Sequence, residues 1–185
     1  MKKAVICLIA VLLACSLGIA AELEGVQMPD TTTVDGTELV LNGMGLRKKM
    51  WIEVYVAGLY LEGRSTDPAQ ILDSDQVKQL RMHFLYKKVS AKKLSGAWTD
   101  GIDANQGDDA KALEPALNQL NGWMEDVVRG DEMTFTSVPG KGLRVDVKGV
   151  EKGRIEDERF SKAFWSIFLG DKPPTGEVKS GLLGN

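Results

Sequence analysis

Met50-Trp-Ile-Glu-Val-Tyr-Val-Ala-Gly-Leu-Tyr-Leu61 is the most β-prone stretch of the chain. Branched and aromatic side chains suit a pleated surface, and a strand sends successive side chains to opposite faces. Ile52, Val54, Val56, Gly58 and Tyr60 therefore share one face, and Trp51, Glu53, Tyr55, Ala57 and Leu59 share the other. Both sets are largely apolar, which predicts a central strand covered on both sides. Upstream, Thr37–Leu41 predicts a short strand, and Asn42-Gly43-Met44-Gly45 predicts a turn leading into the central one.

Downstream, Asp67-Pro68 starts a short helical turn and Val77–Tyr86 predicts a third strand. It carries Lys78, Leu80, Met82 and Phe84 on one side and Gln79, Arg81, His83 and Leu85 on the other. The apolar period then changes from two to between three and four. Ser90 is placed to cap a helix with Leu94, Ala97, Trp98 and Ile102 on one stripe. A second helix follows Asp108 and Asp109, with Leu113, Leu117, Leu120, Met124 and Val127 in line and Pro115 at its first turn or at a kink.

Strands return at Met133–Val138 and Leu143–Lys148, joined by Pro139-Gly140-Lys141-Gly142 as a hairpin, and a weaker strand spans Gly149–Ile155. Asp157 caps a helix whose Phe160, Ala163, Phe164, Ile167 and Phe168 form an apolar face. Gly170 supplies its C′ position and Pro173-Pro174 blocks continuation. Thr175 caps a short terminal helix with Val178, Leu182 and Leu183. Strands, two helices, strands and helices without βαβ alternation define an α+β class, a largely antiparallel sheet with helices on one face.

Length and charge narrow the function classes. The chain has 185 residues and a formal net charge of −3, enough for one ordinary domain with a real core. No basic block is present, and phosphate binding needs clustered Lys and Arg, so nucleic acid is excluded as a partner. Lys2 and Lys3, the apolar run Ala4–Leu13 and the small residues Gly18 and Ala20 form a secretory signal, which predicts a periplasmic or secreted domain. Residues 1–20 are read as the signal peptide and 21–185 as the mature domain. Losing Lys2 and Lys3 takes the charge to −5. Leu12-Leu13-Ala14-Cys15 also resembles a lipobox, so a lipoprotein acylated at Cys15 is the second reading and the one that would bring the chain to a membrane. Cys7 and Cys15 both lie in the signal, so cleavage after Ala20 leaves no thiol for a disulfide, a nucleophile or a metal.

Few residues in the mature part point to chemistry. Gly43-Met44-Gly45 lacks the third glycine of a dinucleotide fingerprint. Asp103, Asn105, Gly107, Asp109 and Glu114 imitate a calcium loop, but the glycine falls one place early and Lys111 takes a ligand position. Neither metal nor cofactor is expected. His83 is the only imidazole and reads as a hydrogen-bonded or surface histidine. Trp51, Trp98, Trp123, Phe164, Trp165 and Phe168 read as core. Arg47 stands between the glycines and the central strand. Its fixed charged fork would suit a carboxylate or enolate oxygen in the space between sheet and helices, unless Arg47, Lys48 and Lys49 simply form a solvated turn.

Gly43-Met44-Gly45-Leu46-Arg47 followed by Trp51–Leu61 resembles the N-terminal segment of the chalcone isomerase superfamily, above all its bacterial chalcone isomerase-like branch, and is similar to plant fatty-acid-binding relatives. Phe164–Gly170, Pro173-Pro174 and Gly181-Leu182-Leu183-Gly184 resemble that branch's ending. The resemblance implies an open-faced β-sandwich, a large antiparallel sheet layered by helices with a ligand cleft between. In true chalcone isomerases an Arg after the glycines, a Thr on the next strand, a Tyr at a helix start and an Asn farther along serve ring closure. Arg47 matches the first, Tyr55 stands where the Thr would be, and Ser90 and Ala97 fall near the other two. The resemblance thus implies an exported, non-catalytic binder of a small apolar or amphipathic carboxylate such as a fatty acid, with Arg47 and Tyr55 as ligand-binding residues. An intramolecular lyase or isomerase of chalcone isomerase type is the alternative, and a structural or protein-interaction domain the third.

Overall fold

The computed structural model describes residues 20–185; the expected signal peptide lies almost wholly outside them. The chain opens with β1 (Ala20–Leu23), β2 (Val26–Pro29), β3 (Thr31–Val34), β4 (Thr37–Lys49) and β5 (Ile52–Leu61). It continues through α1 (Pro68–Asp73), β6 (Lys78–Phe84), β7 (Lys88–Val89), α2 (Ala91–Gln106), α3 (Ala110–Gly122) and β8 (Val127–Val128). Then come β9 (Glu132–Val138), β10 (Gly142–Val147), β11 (Val150–Ile155), α4 (Glu158–Leu169) and α5 (Gly176–Leu182). Seven strands form one antiparallel sheet in the order β11-β10-β9-β6-β5-β4-β3, with β5 inside it as its two apolar faces require.

One face carries the helices. The Asp157 carboxylate accepts from the N–H groups of Arg159 and Phe160 and so starts α4. That helix buries Phe160, Phe164 and Phe168 completely. Phe164 packs 4.6 Å from the ring of Phe135 on β9, and Trp98 of α2 meets Phe135 edge-on at 5.4 Å. Each such side chain contributes about 1.5–3 kcal/mol by burial, so this aromatic cluster is the main anchor of helices to sheet. Gly170 ends α4 in an extended conformation rather than a left-handed one; a Cβ there would fall 2.4 Å from Asn105 Oδ1.

The other face is half covered. The β1–β2 hairpin lays Val26 and Met28 over Leu39, Leu41, Val56 and Tyr60. Gly58 makes room for it, since a Cβ at that position would sit 2.3 Å from Met28 Sδ. Beyond the hairpin the face is polar: Arg81 lies 5.2 Å from the Tyr60 ring centre and donates to Thr32 and Gln79. This is the open-faced layering that the resemblance implies, with the helices on one face as the α+β reading expects.

Several local expectations are corrected. Asn42–Gly45 is not a turn but the middle of the long strand β4. The turn falls instead at Met50 and Trp51, which precede β5, and Trp51 is 80% exposed rather than core. Trp123 is half-buried, its ring seated over Gly153. The third strand is shorter than expected, ending at Phe84, and the second long helix stops at Gly122, so that Val127 belongs to β8. The polar lead before Thr37 forms β1, β2 and β3.

Candidate binding site

Leu39 and Leu41 of β4 face the hairpin side of the sheet. Leu41 pairs with Tyr60 and Gly43 pairs with Leu59, so Asn42 is an extra residue, a β-bulge. The side-chain period of a strand is two, and one inserted residue therefore exchanges the faces. Beyond the bulge Met44 and Leu46 lie on the hairpin side, whereas Gly43, Gly45 and Arg47 turn to the helices.

The glycines are needed because α5 lies on the backbone there. A Cβ on Gly43 would be 2.2 Å from the Gly181 carbonyl oxygen, and one on Gly45 would be 2.5 Å from that of Val178. Asn42 fixes the arrangement. Its amide donates to the carbonyls of Leu182 at 2.8 Å and Ser65 at 3.0 Å, and its oxygen accepts from the Ser65 N–H at 2.8 Å.

The same parity brings Arg47 opposite Tyr55, its cross-strand partner on β5. A second bulge follows at once, with Val54 unpaired to β4 and its carbonyl accepting from the N–H groups of Leu85 and Tyr86. Tyr55 is 8% exposed and packs edge-on to Phe84 at 5.9 Å. Burial holds its hydroxyl far above the ordinary phenol range, and the Arg47 charge pulls in the opposite direction. The Tyr60 hydroxyl donates to the Pro29 carbonyl, whereas that of Tyr55 makes no hydrogen bond among the described residues. The half-buried Arg47 guanidinium donates to the carbonyl oxygen of Lys48.

Two cavities follow the edge of β4 that β3 leaves free after Val40. The larger, about 540 Å³, lies among Leu23, Met44, Leu46 and Lys48 on one side and Ser180 and Gly181 of α5 on the other. The smaller, about 280 Å³, shares Leu23 and Met44 and runs on to Asn42 and Arg64. Neither is lined by Arg47 or Tyr55; the larger lies between β4 and α5 at the free edge of the sheet. Arg47 stands behind the wall of the larger one, donating to the carbonyl of the lining residue Lys48. Lys48 also forms an ion pair with Glu53 at 3.4 Å. Met44, Leu46 and Leu23 escape sequence reasoning as lining residues, because the edge is left by the short β3 and the face they take is set by the bulge.

The remaining candidates have structural partners. The Ser90 hydroxyl accepts from the Lys93 N–H and caps α2, as its position predicts. Ala97 lies exposed on the outer side of that helix. His83 Nδ1 is 3.1 Å from a Glu132 carboxylate oxygen. Asn105 bonds to the backbone of Gly101 and Lys172.

The large antiparallel sheet layered by helices is the architecture that the resemblance implies. Residues 20–184 match the family described as chalcone isomerase-like, and the chain belongs to that family. It is 28% identical over 169 residues to chalcone isomerase-like protein 1 of Humulus lupulus, covering 71% of this chain and 74% of that one. The fold is similar to the crystal structure of a fatty-acid binding protein of Arabidopsis thaliana, with a TM-score of 0.67 and 17% identity over 86% of this chain and 92% of that one.

Proposed function

We propose that the protein binds a small amphipathic carboxylate, of the fatty-acid class, without turning it over. The observation that carries this reading is the mostly buried Tyr55, whose hydroxyl makes no hydrogen bond among the described residues, set across from the always-charged Arg47. A guanidinium fork binds a carboxylate at two points, and the hydroxyl adds a third. The apolar tail then follows Leu46, Met44 and Leu23 along the strand edge, in an open groove of about 540 Å³. Support for the ligand class comes from the Arabidopsis neighbour, which is a fatty-acid binding protein.

Two positions weigh against the isomerase alternative. Ser90 is committed to capping α2, and Ala97 offers neither a polar group nor a path to the sheet. A proton-transfer role would therefore rest on Tyr55 alone, whose proton is held too firmly for a general acid near neutrality. The reading includes export to a bacterial periplasm or beyond, with cleavage after Ala20, as Lys2, Lys3 and the apolar run Ala4–Leu13 suggest.

Native mass spectrometry of the protein isolated in its exported form tests the proposal. The expected result is a mass beginning at Ala21 with a fatty-acid adduct, restored by palmitate after delipidation. A bare protein mass that palmitate does not change would refute the binding reading, and a retained leader or a diacylglycerol on Cys15 would refute the soluble exported form.

A further inference from the structure

Met50 and Trp51 form the tip of the β4–β5 hairpin and are 77% and 80% exposed. Neither is required there by the fold. Met50 takes a left-handed φ of +58°, a conformation that Gly or Asn holds at lower cost, so the turn alone does not select it. The other exposed large apolar residues among those described are Val128 and Val150, and they lie at the same end of the sheet. The register shows this: Arg47 pairs with Tyr55, Tyr55 with Phe84, and Val147 with Met133, while Gly130 donates to the Phe84 carbonyl. Three exposed cations lie at this end, Lys49 as the last residue of β4 and Lys87 and Arg129 in connections, and none has a carboxylate within ion-pair distance among the described residues.

We infer that this end of the sheet docks on an anionic bilayer surface, with Met50 and Trp51 entering the interface and Lys49, Lys87 and Arg129 against the headgroups. An indole has an apolar body and one N–H donor, which suits the boundary between acyl chains and water. Nearby cations add attraction to an anionic leaflet that a chain of net negative charge otherwise lacks. Attachment is peripheral: no helix among the described residues is long and apolar enough to cross a membrane. The contact does not depend on acylation of Cys15. The Lys48 end of the cavity adjoins the tip, so docking would open the candidate site toward the lipid; that last link rests on the carboxylate-binding reading, whereas docking itself does not.

The test is quenching of tryptophan fluorescence by phosphatidylcholine–phosphatidylglycerol vesicles with brominated acyl chains. The segment before residue 20 contains no tryptophan, Trp98 and Trp165 are buried, and Trp123 is held over Gly153, so the signal reports Trp51. Quenching is expected, and Trp51→Phe should abolish it without changing the melting temperature. Met50→Glu, or Lys49→Glu with Lys87→Glu, should raise the half-saturating lipid concentration at least tenfold, and vesicles of phosphatidylcholine alone should quench weakly. Unquenched Trp51 would overturn the inference. So would a concentration-dependent dimer that shields Trp51 from acrylamide without lipid, because it assigns the tip to a second copy. Palmitate binding in the absence of vesicles should be the same for Trp51→Phe as for the native chain, which separates failure of docking from failure of the binding reading.

Discussion

Asn42 decides the face on which Arg47 lies. Without that extra residue in β4, the alternation begun by Leu39 and Leu41 would carry Arg47 to the hairpin side, away from Tyr55. The bulge residue also holds α5 in place through the Leu182 carbonyl, so one side chain couples strand parity to the terminal helix.

Replacing Asn42 with Ala should therefore do two things. One buried and two half-buried hydrogen bonds disappear and the Leu182 carbonyl loses its side-chain donor, which costs about 1–3 kcal/mol for the stranded buried group. Urea denaturation measures the loss. Hydrogen exchange should show α5 opening well before the sheet, and uniform protection across both would contradict the coupling.

Gly43→Ala should destabilise by more than about 1–3 kcal/mol, because the new methyl meets backbone at 2.2 Å and backbone cannot swing aside. Gly63→Ala is the control. Nothing lies within 4 Å of a Cβ there, and its melting temperature should be unchanged or slightly higher.

Lys78 gives the protein a pH signature. Its ammonium is buried on β6 and donates to the carbonyls of Ile71 and Ser74. Burial, reinforced by the Lys162 charge, brings its pKa down from 10.5 to about 8. Between those values the unfolded chain holds more protons than the folded one, so this group makes stability rise with pH. Near 10 the opposite contribution begins, since unfolded tyrosines ionise while Tyr55 stays neutral. Urea midpoints should climb from pH 8 toward 10 and then fall, and Lys78→Met should remove the climb.

Periodicity reads most of the framework because the period is local. Leu94, Trp98 and Ile102, or Phe160, Phe164 and Phe168, announce a buried helix face whatever it packs against. The misreadings share a different cause. Gly43 and Gly45 look like turn residues, yet they are glycine because a helix nearly 140 residues later lies on them. Val26 and Met28 alternate with Gln27 and Pro29 in strands too short to signal themselves. Trp51 looks like core until the turn is known to fall on it. Arg47 is legible through the family motif, but its pairing with Tyr55 depends on the bulge, which no local pattern declares.

Titration of a fluorescent fatty acid against a small set of variants tests the central claim. Arg47→Ala strands a carboxylate without its counter-charge and should cost on the order of 2–5 kcal/mol, at least tenfold in Kd. Arg47→Lys should recover part of that, since an ammonium lacks the planar two-point contact. Tyr55→Phe should cost about 1 kcal/mol for a single neutral donor. Lys49→Ala, and Lys48→Ala with its exposed ion pair to Glu53, should change little. Graded losses in the order Arg47, Tyr55, then the lysines are the predicted result; equal small effects at Arg47, Lys48 and Lys49 would make the cluster a solvated turn and contradict the account.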